Sequence, residues 1–112
     1  MAEKQSPNDV LTAYDDLLKK CDRFERKGKN MPYTSANGHM FSQMNKTGEL
    51  GIRFSKEVQE KYFSEYDTTF FKSYGAVMKG YVLITDKMLF NEELMLRLLN
   101  ESYDYVMSLP TK

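Results

Sequence analysis

The stretch YTSANGHMFSQMNKTGELGIRF, residues 33–54, decides how this chain folds. Leu50, Ile52 and Phe54 alternate with Glu49, Gly51 and Arg53, the period of a half-buried strand. NKTG at residues 45–48 is a short polar turn, so HMFSQM at residues 39–44 becomes the antiparallel partner. Asn37-Gly38 precedes that partner, and both residues accept the positive φ that a tight hairpin needs. NMPYTS, residues 30–35, then reads as a further strand. Pro32 puts it at a sheet edge, because proline has no N–H for a central ladder. A rival reading makes YTSANGH an anion-cradling loop, since successive backbone N–H groups in a turn can bind an anion. A phosphate loop of the nucleotide type requires Gly-x-x-x-x-Gly-Lys-Ser/Thr opening a helix, whereas a strand follows here. Asn37 and Gly38 are therefore read as a structural turn.

Working outward, the first segment reads as a helix. Ser6 caps it, Pro7 suits its first position, and Asp9 faces its positive end. Val10, Tyr14, Leu17, Leu18, Cys21 and Phe24 recur at helical spacing, and Gly28 ends the run. Ser55 caps a second helix over residues 56–66, with Val58, Tyr62 and Phe63 inward. Residues 75–85, GAVMKGYVLIT, are apolar on both faces and read as a central strand. The last helix spans residues 91–107. Leu94, Leu98, Leu99, Ser102, Tyr103 and Val106 form its inner stripe, and Glu92 and Glu93 sit at its favourable end. The expected order is α-β-β-β-α-β-α. It predicts an α+β fold, a two-layer sandwich of three helices on an antiparallel sheet of about four to five strands.

Composition narrows the function classes. A chain of 112 residues fits one domain, residues 1–112, and 41% hydrophobic residues suffice for one core. Lys plus Arg and Asp plus Glu each number 16. That balance counts against a nucleic-acid protein, which usually carries a basic excess. Cys21 is the lone cysteine, so neither an internal disulfide nor a thiolate metal cluster is expected. It reads as a small buried hydrophobe. The opening MAEKQSPNDV lacks the apolar run of a signal peptide, and no apolar run reaches the roughly 18 residues that span a bilayer. A cytoplasmic protein without membrane contact is the expectation.

Candidate sites are few. His39 is the single histidine and has no clustered partners, which makes it poor evidence for a metal or a catalytic pair. The acidic residues lie mostly on helix faces among lysines, as solvated charge. No cofactor, metal or catalytic set is expected. Lys19, Lys20, Arg23, Arg26, Lys27 and Lys29 form a basic concentration. It either faces a phosphate backbone or an acidic partner, or simply opposes the dipole at a helix C-terminus. Arg53 and Lys79 are charges on strands among apolar neighbours. With Tyr81 they are expected to share the sheet face that the helices leave open, where exposed aromatics and methionines make a docking surface.

NGHMF, GELGIRFS, YFSEY and KGYVLITDKML, in that order and followed by an amphipathic helix, resemble the N-terminal domain of TfoX/Sxy-type proteins. Gly38, Met40 and Phe41 match the glycine turn before Met-Phe. Leu50, Ile52 and Arg53 match the next strand. Tyr81, Asp86 and Leu89 match the third element, with Thr85 where proline is common. The resemblance covers residues 24–107. The family's Arg-Arg-Met-Phe-Gly-Gly stretch is not present: Arg26 and Lys27 stand at its basic pair, and GKNMPY replaces the rest. Longer members carry a second domain and are associated with regulation of competence for DNA uptake, together with a transcription factor. The resemblance implies an antiparallel sheet with helices packed on it, and no catalytic residues.

The expectation is thus a non-enzymatic interaction or regulatory domain that binds another protein. Two alternatives stand beside it: nucleic-acid binding through residues 19–29, and a small-molecule or enzymatic site around His39. An exposed sheet face or edge leaves a homodimer open.

Overall fold

In the computed structural model, residues 7–28, 32–73 and 75–111 are described. The elements run α1 (Pro7–Lys19), β1 (Tyr33–Ala36), β2 (His39–Met44), β3 (Leu50–Arg53), α2 (Lys56–Glu65), β4 (Phe70–Ser73), β5 (Ala76–Ile84), α3 (Asp86–Leu89) and α4 (Glu92–Met107). The strands form one antiparallel sheet in the order β1-β2-β3-β5-β4. The expected α+β fold is what forms, with α1, α2 and α4 on one face.

The two turns in the deciding stretch follow their residues. Asn37 (φ 56) and Gly38 (φ 80) both take the left-handed conformation, and Ala36 pairs with His39 across them. The Asn45 side chain accepts from the Thr47 and Glu49 amides, and its own amide donates to Glu49, which closes the β2–β3 turn. Pro32 immediately precedes β1, which lies at a sheet edge. The ladder skips Phe41: Thr34 faces Ser42, while Ser35 faces Met40. Such a bulge re-aims a side chain. Here it lets Phe41 and its neighbour Ser42 both serve the helix side. Phe41 meets Phe24 and Tyr103, with ring centroids 5.0 and 5.9 Å away, and Ser42 meets the Tyr14 hydroxyl at 2.5 Å.

The main core lies between sheet and helices. Ile52, Phe54, Val82 and Leu50 from the sheet meet Tyr14, Leu17, Met95, Leu98, Leu99 and Val106. The expected stripe of α4 holds, with Met95 buried as well and Leu94 and Tyr103 at its margins. Ser102 is buried because its hydroxyl donates to the Phe41 and Arg53 carbonyls, tying α4 to two strands. The three hydroxyls of Tyr14, Ser42 and Thr34 form a fully buried chain. Each satisfies its neighbour, which removes the cost of burying them. Burial raises the Tyr14 phenol above its ordinary value. Ser55 and Asn91 cap α2 and α4 by accepting from the Val58 and Leu94 amides.

Four expectations need correction. The first helix does not reach Gly28. It ends at Lys19, where the Lys20 and Cys21 amides turn back to the Leu17 and Leu18 carbonyls. Phe24 lies beyond the helix and is buried between Phe41 and Tyr103, a contact that another helical turn would not deliver. The expected order lacked β4, which pairs with β5 across the Gly75 turn. It also lacked α3, a single turn capped by Thr85. Finally, the second sheet face is not open where Tyr81 lies. Ser6, Asn30 and Met31 fall outside the described residues.

Candidate interaction surface on the β4–β5 hairpin

The far face of the sheet is built around a glycine. A Cβ at Gly51 would stand 2.3 Å from Phe71 Cγ, so only glycine lets the Phe71 ring lie on β3. Phe71 is fully buried there although it belongs to the outermost strand. The strand reaches that far because the ladder is irregular. Phe70 faces Val82, but Lys72 faces Val77, so two steps along β4 match five along β5. Gly80 (φ 96) takes part of this bend, and its carbonyl accepts from the Phe54 amide. Asn45 Nδ2 then donates to the Lys72 carbonyl at 2.7 Å, fastening β4 to the β2–β3 turn.

Under this cover Tyr81 is buried. Its hydroxyl donates to the Met40 carbonyl at 2.7 Å, and burial raises the phenol above its ordinary value. Tyr81 is therefore an internal strut, which corrects its placement on an exposed docking face. Gln43 lies beside that hydroxyl without hydrogen-bond geometry: its Nε2, like the buried Ser73 Oγ, has no hydrogen-bond partner among the described residues. Arg53 is half-buried, and its guanidinium carbon stands 5.8 Å from the Tyr105 ring centroid. Lys79 is exposed.

Sequence reasoning missed what the hairpin turns outward. Phe70 is 40% exposed and Val77 48%, with exposed Lys72 opposite Val77. The Phe63 ring of α2 backs Phe70, with centroids 4.8 Å apart. Leu83 N–H donates to the Thr69 carbonyl, so Phe70 and Val82 form a pair that exchanges no hydrogen bonds. The Phe70 N–H and C=O consequently point off the sheet. Residues 68–85 contain Lys72 and Lys79 and neither Asp nor Glu. That run of charge was legible in the sequence, but only the strand assignment of FFKS would have given it a surface.

The basic segment is distributed among partners. Lys20 pairs with Glu92 at 2.7 Å. Arg23 pairs with Asp104, donates to Asn100 and stacks over the Tyr103 ring. Arg26 Nε lies 2.7 Å from Asp15 Oδ1, a charge contact without directed hydrogen-bond geometry. Lys27 donates to Ser35. Lys19 is exposed at the end of α1, the one member of the group in a helix's last turn, and Lys29 falls outside the described residues. These cations bind the 20–28 loop to the helices and to β1.

His39 and Asn37 have a structural task. Asn37 Nδ2 donates to the Val106 and Leu109 carbonyls at 3.0 and 2.7 Å, Thr111 donates to Asn37 Oδ1, and His39 Nε2 donates to the Pro110 carbonyl at 2.8 Å. The turn clamps residues 106–111. Cys21 donates to the Leu17 carbonyl, and burial, with Asp22 nearby, raises its thiol above the usual range. A thiol shifted that way is a poor nucleophile at neutral pH. Among the described residues no group of His, Cys, Asp and Glu could hold a metal ion, and no helix is long and apolar enough to cross a membrane.

Set against protein-family models, curated proteins and solved structures, the chain matches none of them.

Proposed function

We propose that this chain is a non-enzymatic interaction domain that binds another protein through the outer side of the β4–β5 hairpin. The observation that carries the reading is the pairing of exposed Phe70 and Val77 with the cations Lys72 and Lys79, on a strand whose Phe70 backbone groups have no sheet partner. Apolar side chains flanked by Lys72 and Lys79 favour an extended, acidic segment. Such a segment adds as a strand, its backbone pairing with Phe70 and its carboxylates meeting the lysines. A cytoplasmic setting accords with a lone free thiol. The motif likeness to the TfoX/Sxy N-terminal domain supports a regulatory role by association, and that kinship is part of the proposal.

The test uses a labelled peptide alternating valine and glutamate, with fluorescence anisotropy as readout. Wild type should bind saturably. Phe70→Ser with Val77→Ser, or Lys72→Glu with Lys79→Glu, should abolish binding, and Lys19→Ala should not. Equal binding by all variants overturns the reading. Salt-sensitive binding of an oligonucleotide, lost in Lys19→Ala but not in the hairpin variants, would give the function to the basic segment instead.

A further inference from the structure

A second surface lies away from the hairpin. A groove of about 510 Å³ runs between α1 and the α3–α4 corner. Its floor is Ala13, Leu17 and Leu89, and its wall is Phe90. The corner explains the wall. Leu89 turns into the core at 5% exposure, and Phe90, the residue that ends α3, turns out at 57%, the most exposed large hydrophobic side chain among the described residues. Among the described residues the rim carries Asp9, Asp16 and Glu92, with Lys20 as the cation, paired to Glu92. An apolar trough with a negative rim is the complement of a positive amphipathic element.

We infer that this groove docks a basic amphipathic helix of a partner protein, with apolar side chains against Leu17, Leu89 and Phe90 and cations toward Asp16. A helix fits because two helices form the groove walls and no sheet edge borders it. An incoming segment must therefore satisfy its own backbone hydrogen bonds. An anionic lipid surface is disfavoured by the acidic rim. A second copy offers no such helix among the described elements: carboxylates outnumber cations in α1, α2 and α4, and α3 is a single balanced turn.

The chain contains no tryptophan, so the emission of a tryptophan-bearing peptide reports the peptide alone. The probe is an amphipathic leucine–lysine helix with one tryptophan on its apolar face, compared with a leucine–glutamate counterpart. The expected result is a saturable blue shift with the lysine peptide only, weakened by salt. Asp16→Lys with Phe90→Ser should lower affinity at least about tenfold, while Phe70→Ser with Val77→Ser leaves it unchanged. Both substituted positions of the groove variant are exposed, so circular dichroism should show an intact fold. No saturable shift with wild type, or equal affinity in the groove variant, overturns the inference. So does concentration-dependent self-association of wild type that Phe90→Ser removes, which would seat a second copy in the groove. Loss of the hairpin's peptide binding with the groove's retained would refute the proposed function alone.

Discussion

The two edges of the sheet are finished in opposite ways. At β1 the backbone of Lys27 pairs with Tyr33 in both directions, at 2.8 and 3.0 Å, and the Lys27 ammonium reaches Ser35. Asn37 and His39 hold the chain's last turn against the same hairpin. At β4, Asn45 covers one carbonyl, and Phe70 remains 40% exposed. An uncovered edge is a hazard that proteins usually blunt. Lys72 blunts this one by charge, and the rest stays available. The contrast extends beneath the strands. The hydroxyl chain under β1 is fully paired, whereas Ser73 Oγ of β4 has no hydrogen-bond partner among the described residues. One edge is closed by the chain's own residues, while the other keeps a part-exposed aromatic at its rim.

The largest effect should come from the fully buried aromatic of the β4 edge. Phe71→Ala should cost about 3–5 kcal/mol in urea denaturation, as truncation of a buried aromatic does. Gly51→Ala should also destabilise, because its methyl would collide with the Phe71 ring. The combination should cost less than the sum, since removing the ring removes the clash. Strict additivity would show that Phe71 does not rest on Gly51, and the account of the far face would fail.

A smaller loss tests the β1 edge. Asn37→Gly keeps the positive φ of the turn but deletes its bonds to Val106, Leu109 and Thr111. The expected cost is about 1–2 kcal/mol, with faster amide exchange in residues 106–111 and none at β4. Exchange that rises equally at both edges would mean that the clamp is not local. Lys20→Ala should cost less than about 1 kcal/mol, and high salt should shrink even that, because the pair with Glu92 is half exposed on each side.

These sites also separate what the sequence could say from what it could not. Asn37-Gly38, the period of residues 50–54, and the cap at Ser55 are local signals, and each element formed where they placed it. Phe24 carried helical spacing from Leu17 and Cys21, yet its ring is placed by Phe41 and Tyr103, far along the chain. FFKS is too short and too near Gly75 to announce a strand by alternation. Its partner reads as a central strand because it is apolar on both faces, and β5 does lie between β3 and β4, but the bend at Gly80 breaks the register that would reveal β4. Gly51 looked like the polar-side member of an alternating strand. Its demand for glycine comes from Phe71, 20 positions later, and no local pattern shows it. Tyr81 was assigned to an open face by the same alternation, and the curl of β4 covers it. The candidate surface was thus half legible: its charges stood in the sequence, while its edge and its exposed ring depended on long-range register.

The most informative expected change in stability is a small one. Phe70 and Val77 are 40% and 48% exposed, so Phe70→Ser with Val77→Ser should lower the unfolding free energy by less than about 1 kcal/mol for each site, far below Phe71→Ala. Part of that loss is the Phe63 contact. The same variant should lose the acidic peptide entirely. Stability and binding would then be governed by different residues of one four-residue strand, Phe71 for the first and Phe70 for the second. If the double serine variant unfolded as readily as Phe71→Ala, Phe70 and Val77 would belong to the core. The β4 edge would then be as closed as β1, and the distinction between the two edges would disappear.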